Sequence, residues 1–236
     1  MGTTDEPALE AAPVGLGLRS RHLLDREQRD IKDAVLRMGS RVRSQIDGGV
    51  RAFIGRDAAL AETVIGGDAE INDMQRDVAD LVAMTIATQA PVARDLRFLL
   101  ALNHVASELE RIGDHAVGIA KQVRRLPDAP PIPAAAELAR MGELAGLLVD
   151  GVLRALVDSD SEAARTVAAG DDDIDHGYGR VFTATIEEMQ GDPDAVDRGT
   201  RTILVAHWLE RIGDRVTNIA EDVVQLATGR VEDLNP

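Results

Sequence analysis

Cysteine is missing from all 236 residues, which removes disulfides, thiolate metal ligands and thiol nucleophiles together and suits a reducing cytoplasm. Aromatic residues are scarce as well, at 2% with one Trp and one Tyr, so the chain is poor in strand formers. No stretch approaches the roughly 18 uninterrupted apolar residues that span a bilayer, and residues 1–18 lack the basic start and apolar core of a signal peptide. These features describe a soluble, cytoplasmic protein. Basic side chains are outnumbered, 26 Lys and Arg against 41 Asp and Glu, for a net charge of −15. A nucleic-acid ligand is therefore disfavoured, because phosphate-backbone binding draws on clustered Lys and Arg. An acidic surface suits cations or a basic patch on a partner, besides keeping the chain in solution.

Enzymatic motifs are missing too. There is no Gly-rich phosphate loop and no Gly-x-Ser-x-Gly. A buried di-iron site of the ferritin type needs paired Glu-x-x-His motifs, and Asp173-Ile-Asp-His176 is the single acidic-x-x-His in the chain. No catalytic residue is assigned.

What is present is a repeat. Glu-Arg-Ile-Gly-Asp occurs at Glu110–Asp114 and again at Glu210–Asp214, an offset of 100 residues. Val105–Val123 and Val205–Val223 share 11 identities in 19 positions. Upstream, the segment around Asp68 aligns with that around Asp171 at an offset of 103. The chain is an internal duplication. The three-residue difference between offsets predicts a slightly longer loop in the first copy, at Thr88–Pro91 compared with Gly191–Pro193.

The apolar periodicity is helical throughout. Ile31, Val35, Met38, Val42 and Ile46 form one stripe. Leu102, Val105, Leu109, Ile112, Ala116, Ile119, Val123 and Leu126 form a seam in steps of 3 and 4, which residues 202–226 reproduce. The pattern predicts an all-α fold of six helices, at about 20–53, 57–89 and 91–125, then 134–158, 161–190 and 193–228. They assemble as two tandem, pseudo-symmetric three-helix bundles. The division is a mobile tail at 1–18, a first repeat at 19–126, a Pro-rich linker at 127–133, a second repeat at 134–230 and a C-terminal tail at 231–236.

At about 100° per residue, Glu110 and Asp114 project from the side opposite the seam and face outward on one helix face. The neighbouring helix carries Asp171 and Asp175 in the second copy, and Asp68 and Asn72 in the first. Two such pairs offer four oxygen donors, which suits hard or iron-group cations and not structural zinc. The plain alternative is a solvated helix face, with Arg111 and Arg211 pairing with the acids.

These residues resemble those of the PhoU family, the phosphate-specific transport accessory proteins. The match runs from about Arg19 to Thr228 and rests on Arg37-Met-Gly-Ser40, Gln89-Ala-Pro-Val-Ala-Arg-Asp-Leu-Arg97, Leu109–Ala116 and Leu209–Ala220. The resemblance implies two pseudo-symmetric three-helix bundles, a homodimer, and divalent or iron-type metal clusters on surface carboxylates. Carried over by position, the metal ligands are Asp68, Glu110 and Asp114 in the first copy, and Asp171, Asp175, Glu210 and Asp214 in the second. Asn72 departs from the acidic pattern, and Gly118 and Lys121 stand where the second copy has Asn218 and Glu221, so the second site is expected to be stronger. The implied role is to repress the phosphate-starvation response and restrain phosphate uptake. The implied partners are the ATPase subunit of the phosphate ABC transporter and a membrane sensor histidine kinase, with membrane proximity through partners alone. The same carboxylates leave two alternatives open: a metal-storage protein or metal-dependent phosphohydrolase, and a purely structural scaffold.

Overall fold

A computed structural model describes residues 14–126 and 132–235, with side chains from Arg21 onward. Among these, the elements are α1 (Val14–Gly55), α2 (Ala58–Gly66), α3 (Asp68–Gln89), α4 (Arg94–Val123), α5 (Ala135–Asp158), α6 (Ser161–Ala169), α7 (Asp171–Gly191), a 3-10 turn (Pro193–Ala195) and α8 (Val196–Thr228). The six predicted helices are all there, with one refinement repeated in each copy. The second helix of each bundle is interrupted at a glycine, Gly67 or Gly170. Both sites are crowded: a β-carbon on Gly67 would lie 2.9 Å from Arg41 and from Gln45, and one on Gly170 would lie 2.7 Å from Leu148.

The boundaries between helices repeat as well. α1 stops where Arg56 turns left-handed (φ 54°), and Asp57 caps α2 by accepting from Leu60 N–H at 2.9 Å. The second copy does the same with Ser159 (φ 53°) and with Asp160, which accepts from Glu162 and Ala163 N–H at 3.0 Å. Each cap satisfies amides that a helix start leaves without intrahelical partners, an effect worth about 1 kcal/mol.

Ile31, Val35, Met38, Val42 and Ile46 are buried, and so are the seam residues from Leu102 to Val123 and from Thr202 to Val223. Full burial of one such Leu, Ile or Val contributes about 1.5–3 kcal/mol. The buried apolar side chains of both repeats form one continuous cluster, so the bundles are fused along α1 and α5 and along α4 and α8.

This fusion is a pseudo-two-fold. Gly39 of α1 meets Leu153 of α5, and their counterparts Gly142 and Val50 meet in turn. Across α4 and α8, Gly118 lies against Trp208, while the counterpart pair Asn218 and Glu108 hydrogen-bonds at 3.0 Å. One half of that second contact is polar. Glu108 is nearly fully buried and accepts from Asn218 and from Arg215 (3.4 Å), with Arg111 and His104 within 4 Å. Across the axis the place of Arg215 is taken by His115, whose Nε2 is buried without a hydrogen-bond partner among the described residues. Burial, then Arg215, Arg211 and His207, push His115 down to about 4.

Four expectations change. The tail predicted for 1–18 lies mostly outside the described residues, and its last part, from Val14, is already helix. The extra three residues of the first copy do not form a longer loop: both connections have four residues, 90–93 and 192–195, and the surplus lies in α3 and the start of α4. Of the predicted linker, 127–131 lie outside the described residues, whereas Ile132 is buried in the core. The C-terminal tail docks on the second bundle, with Leu234 against the core.

Candidate functional site

The seven sequence-predicted carboxylates gather in two clefts. Asp68 opens α3 beside Glu110 and Asp114 of α4; Asp171 and Asp175 lie on α7 beside Glu210 and Asp214 of α8. Each cluster combines the first turns of one helix with the middle of the next, so helix packing brings together acids that are about 40 residues apart in sequence.

The outward projection expected for these groups is corrected by the structure. Asp114 and Asp175 are exposed, but Asp68, Glu110, Glu210 and Asp214 are half-buried and Asp171 is 4% exposed. The carboxylates line the cleft between helices because the small residue in each repeated motif, Gly113 or Gly213, lets the neighbouring helix approach. At Gly213 a β-carbon would stand 1.8 Å from Asp171 Oδ1. The glycine of the second Glu-Arg-Ile-Gly-Asp is therefore the seat of the Asp171 carboxylate. At Gly113 the nearest atoms are Ile71 Cδ1 at 3.2 Å and Gln45 Oε1 at 3.4 Å, so there the same space is taken by an apolar side chain and an amide.

Crowding sets the electrostatics. Burial first, then Asp175, Asp214 and Glu210, raise Asp171 to about 7. Burial followed by neighbouring carboxylates also raises Asp175 and Glu210 in this cleft, and Glu110 and Asp114 in the first. Like charges brought together in a half-dry cleft favour anything that neutralises them, a proton or a cation.

The arginines divide. Arg211 pairs with Asp214 at 2.8 Å, as a solvated face would have it, but Arg111 turns to Glu108 at 3.5 Å. His207 Nδ1 stands 3.2 Å from Glu210 Oε2. Asp171 Oδ1 is buried with no hydrogen-bond partner among the described residues.

The donor set is oxygen-rich, and two of its oxygens, Asp171 Oδ1 and Glu210 Oε2, are buried without a hydrogen-bond partner among the described residues, which fits a hard cation. Among the described residues, though, no three His, Asp or Glu side chains stand close enough together to hold an ion as they are. Coordination would draw the carboxylates inward and be completed by water.

Sequence reasoning placed Asn72 in the first cleft but missed two other residues, Asn235 and Glu108. In the first cleft Asn72 Nδ2 donates to Asp68 Oδ2 at 3.4 Å. In the second cleft, where Asp175 replaces that amide, Asn235 of the C-terminal segment donates to Asp171 Oδ2 at the same 3.4 Å. The segment also lines a cavity of about 460 Å³ with Arg211, Asp214 and Glu221. No local pattern around Asn235 points to α7, and its role rests on chain reversal at Gly229 (φ 73°). The second omission is buried Glu108, for which the exchanges of Gly118 for Asn218 and Glu108 for Trp208 between repeats were the available signal.

Among the described residues no helix is long and apolar enough to cross a membrane. The PhoU domain model matches twice, at residues 35–123 and 138–223. A relative from Clostridium acetobutylicum, a phosphate-specific transport system accessory protein PhoU homolog, is 36% identical over 217 residues, covering 92% of this chain and 99% of its own. One from Caulobacter vibrioides bearing the same description is 36% identical over 196 residues, or 83% and 85% of the two chains. The crystal structure of PhoU from Pseudomonas aeruginosa superposes with a TM-score of 0.82 at 32% identity, covering 87% of this chain and 99% of that one. That of the phosphate transport system regulatory protein PhoU from Streptococcus pneumoniae gives 0.83 at 30%, covering 89% and 99%. With both repeats matched and the clefts formed by the repeated motif, this chain belongs to the PhoU family.

Proposed function

We propose that this protein is a cytoplasmic, non-enzymatic regulator of phosphate uptake that represses the phosphate-starvation response when phosphate is plentiful. The observation that supports it most is the length of the likeness: the Clostridium acetobutylicum relative, described as a phosphate-specific transport system accessory protein PhoU homolog, aligns over 92% of the chain. In this reading the protein acts as an adaptor between the ATPase subunit of a phosphate ABC transporter and a sensor histidine kinase, and functions as a homodimer.

The clefts are its cation sites. Asp171, Asp175, Glu210 and Asp214 would hold an ion in the second repeat, and Asp68, Glu110 and Asp114 a weaker one in the first. A bound cation supplies positive charge that offsets the mutual repulsion of these groups and locks α7 against α8. Asn72, and the cation Lys121 near Asp114, reduce the anionic character of the first site. Metal-loaded protein should leave a generic phosphate ester intact; hydrolysis would move the reading to a metal-dependent phosphohydrolase.

The deciding experiment is deletion of the gene, growth in ample phosphate and assay of secreted alkaline phosphatase. High phosphatase that the wild-type chain returns to low supports the regulatory role, and unchanged phosphatase on deletion counts against it. Complementation with Asp214→Ala then reports on the cleft, and its failure to repress while the melting temperature is kept supports the cation reading. Equal size in free solution and as a single chain would reject the homodimer.

A further inference from the structure

The second cleft is covered by its own chain. After Gly229 turns left-handed, with its N–H on Gln225 C=O at 2.8 Å, residues 229–235 run back over α6, α7 and α8. Three different contacts hold them. Arg165 of α6 donates twice to Glu232, at 3.0 and 2.8 Å. The N–H of Leu234 donates to Glu221 Oε1 at 3.0 Å, with its side chain packed on the core. Asn235 Nδ2 donates to Asp171 Oδ2 at 3.4 Å. The first cleft has an amide on its opening aspartate too, but Asn72 delivers it from within α3, and the groove beside Asp114 is lined among the described residues by Gly118, Lys121 and Trp208 instead of a returning segment.

We propose that residues 229–235 are a strap that competes with a hard divalent cation for the second cleft, an inference that rests on the reading of that cleft as a cation site. An N–H group of Asn235 and a cation seek the same lone pairs of Asp171 Oδ2, and the partial positive charge of the amide hydrogens faces the position a cation would take. The two occupants exclude each other. Cation binding therefore releases the strap, and with the strap docked only a fraction of molecules is ready to bind, which weakens the apparent affinity by that fraction. Among the described residues the first cleft has no returning segment of this kind, its amide coming from Asn72 within α3.

The test is calorimetric titration with Mn²⁺ in an Asp68→Asn, Glu110→Gln background, so that the second cleft is read alone. Asn235→Ala and Glu232→Gln are introduced separately, and a truncation after Gly229 serves as the third variant; circular dichroism checks that helix content is kept. Each variant is expected to bind Mn²⁺ about three- to tenfold more tightly than the parent, the inverse of the open fraction. In the parent, the Leu234 amide should lose hydrogen-exchange protection when Mn²⁺ is added. Equal affinity in parent and variants overturns the strap and leaves the cation site standing. Weaker binding in Asn235→Ala makes Asn235 a ligand and overturns the competition. Absence of Mn²⁺ binding in every protein, truncation included, overturns the cation site itself and the strap with it.

Discussion

Trp208 of the second repeat rests on Gly118 of the first, so closely that a β-carbon on Gly118 would fall 2.8 Å from the indole Cε2. Replacing Gly118 by Val forces the ring out of its seat. Overpacking of this kind costs about 1–3 kcal/mol. Since Trp208 is the chain's single tryptophan, its emission reports on this contact alone. The expected outcome is a lower melting temperature with a red-shifted emission maximum; an unshifted spectrum would contradict the contact.

The two glycines of the repeated pentapeptide should respond differently to the same substitution. Alanine in a helix interior gains about 1 kcal/mol over glycine by propensity. At Gly113 the nearest atoms are side-chain ends at 3.2 and 3.4 Å that can give way, so Gly113→Ala is expected to be near neutral. At Gly213 the new methyl collides with the short, buried Asp171 carboxylate, and a net loss of about 1–3 kcal/mol follows. Chemical denaturation of both variants tests this, and equal midpoints would refute it.

How much of this the residues themselves disclosed varies with the distance over which each feature is encoded. Helix number, the Asp57 and Asp160 boundaries and the buried seams follow from local periodicity, which i, i+3 and i+4 neighbours carry within one helix. The seven cleft carboxylates were legible because the pentapeptide repeats. Their orientation was not, since an angle measured around one isolated helix cannot show that α7 covers the far side of α8 and takes Asp171 out of solvent. Asn235 was beyond reach for the same reason: its partner is 64 residues away and nothing periodic connects them.

His104 makes the contact between repeats pH-dependent on the alkaline side, as His115 does on the acid side. The His104 Nδ1 lies 2.6 Å from Asp222 Oδ2, and this hydrogen bond, against the opposing effect of burial, raises the imidazole above its ordinary 6.5. Glu108 adds to the rise and Arg111 subtracts. A raised folded-state value means that the stabilisation is complete below the ordinary value and is lost as pH climbs through the folded one. The melting-temperature advantage of wild type over Asp222→Asn should therefore be largest near about pH 6 and shrink by about pH 9. A difference independent of pH would remove His104 from this role.

Cation loading should show as thermal stability. At a hundredfold excess over Kd, a ligand that binds only the folded state adds about 2.7 kcal/mol. For a chain of this size that corresponds to a rise of roughly 5–10 °C. The rise with Mn²⁺ is expected in wild type and is expected to fall by more than half in Asp171→Asn combined with Asp214→Asn. An undiminished rise would place the ion elsewhere.

The pseudo-two-fold contact between α4 and α8 resembles the interface of a dimer whose two subunits are joined end to end. Joining them changes what that interface can tolerate. Two separate chains would meet through identical surfaces, so any residue at the axis would appear twice, and an unfavourable one would act against assembly at low concentration. Within one polypeptide the second half is always present at high effective concentration, and each side can mutate without its counterpart. That freedom is visible in the two halves of the contact: a buried, multiply bonded carboxylate at Glu108 faces Asn218, while indole on bare backbone, Trp208 on Gly118, fills the equivalent place.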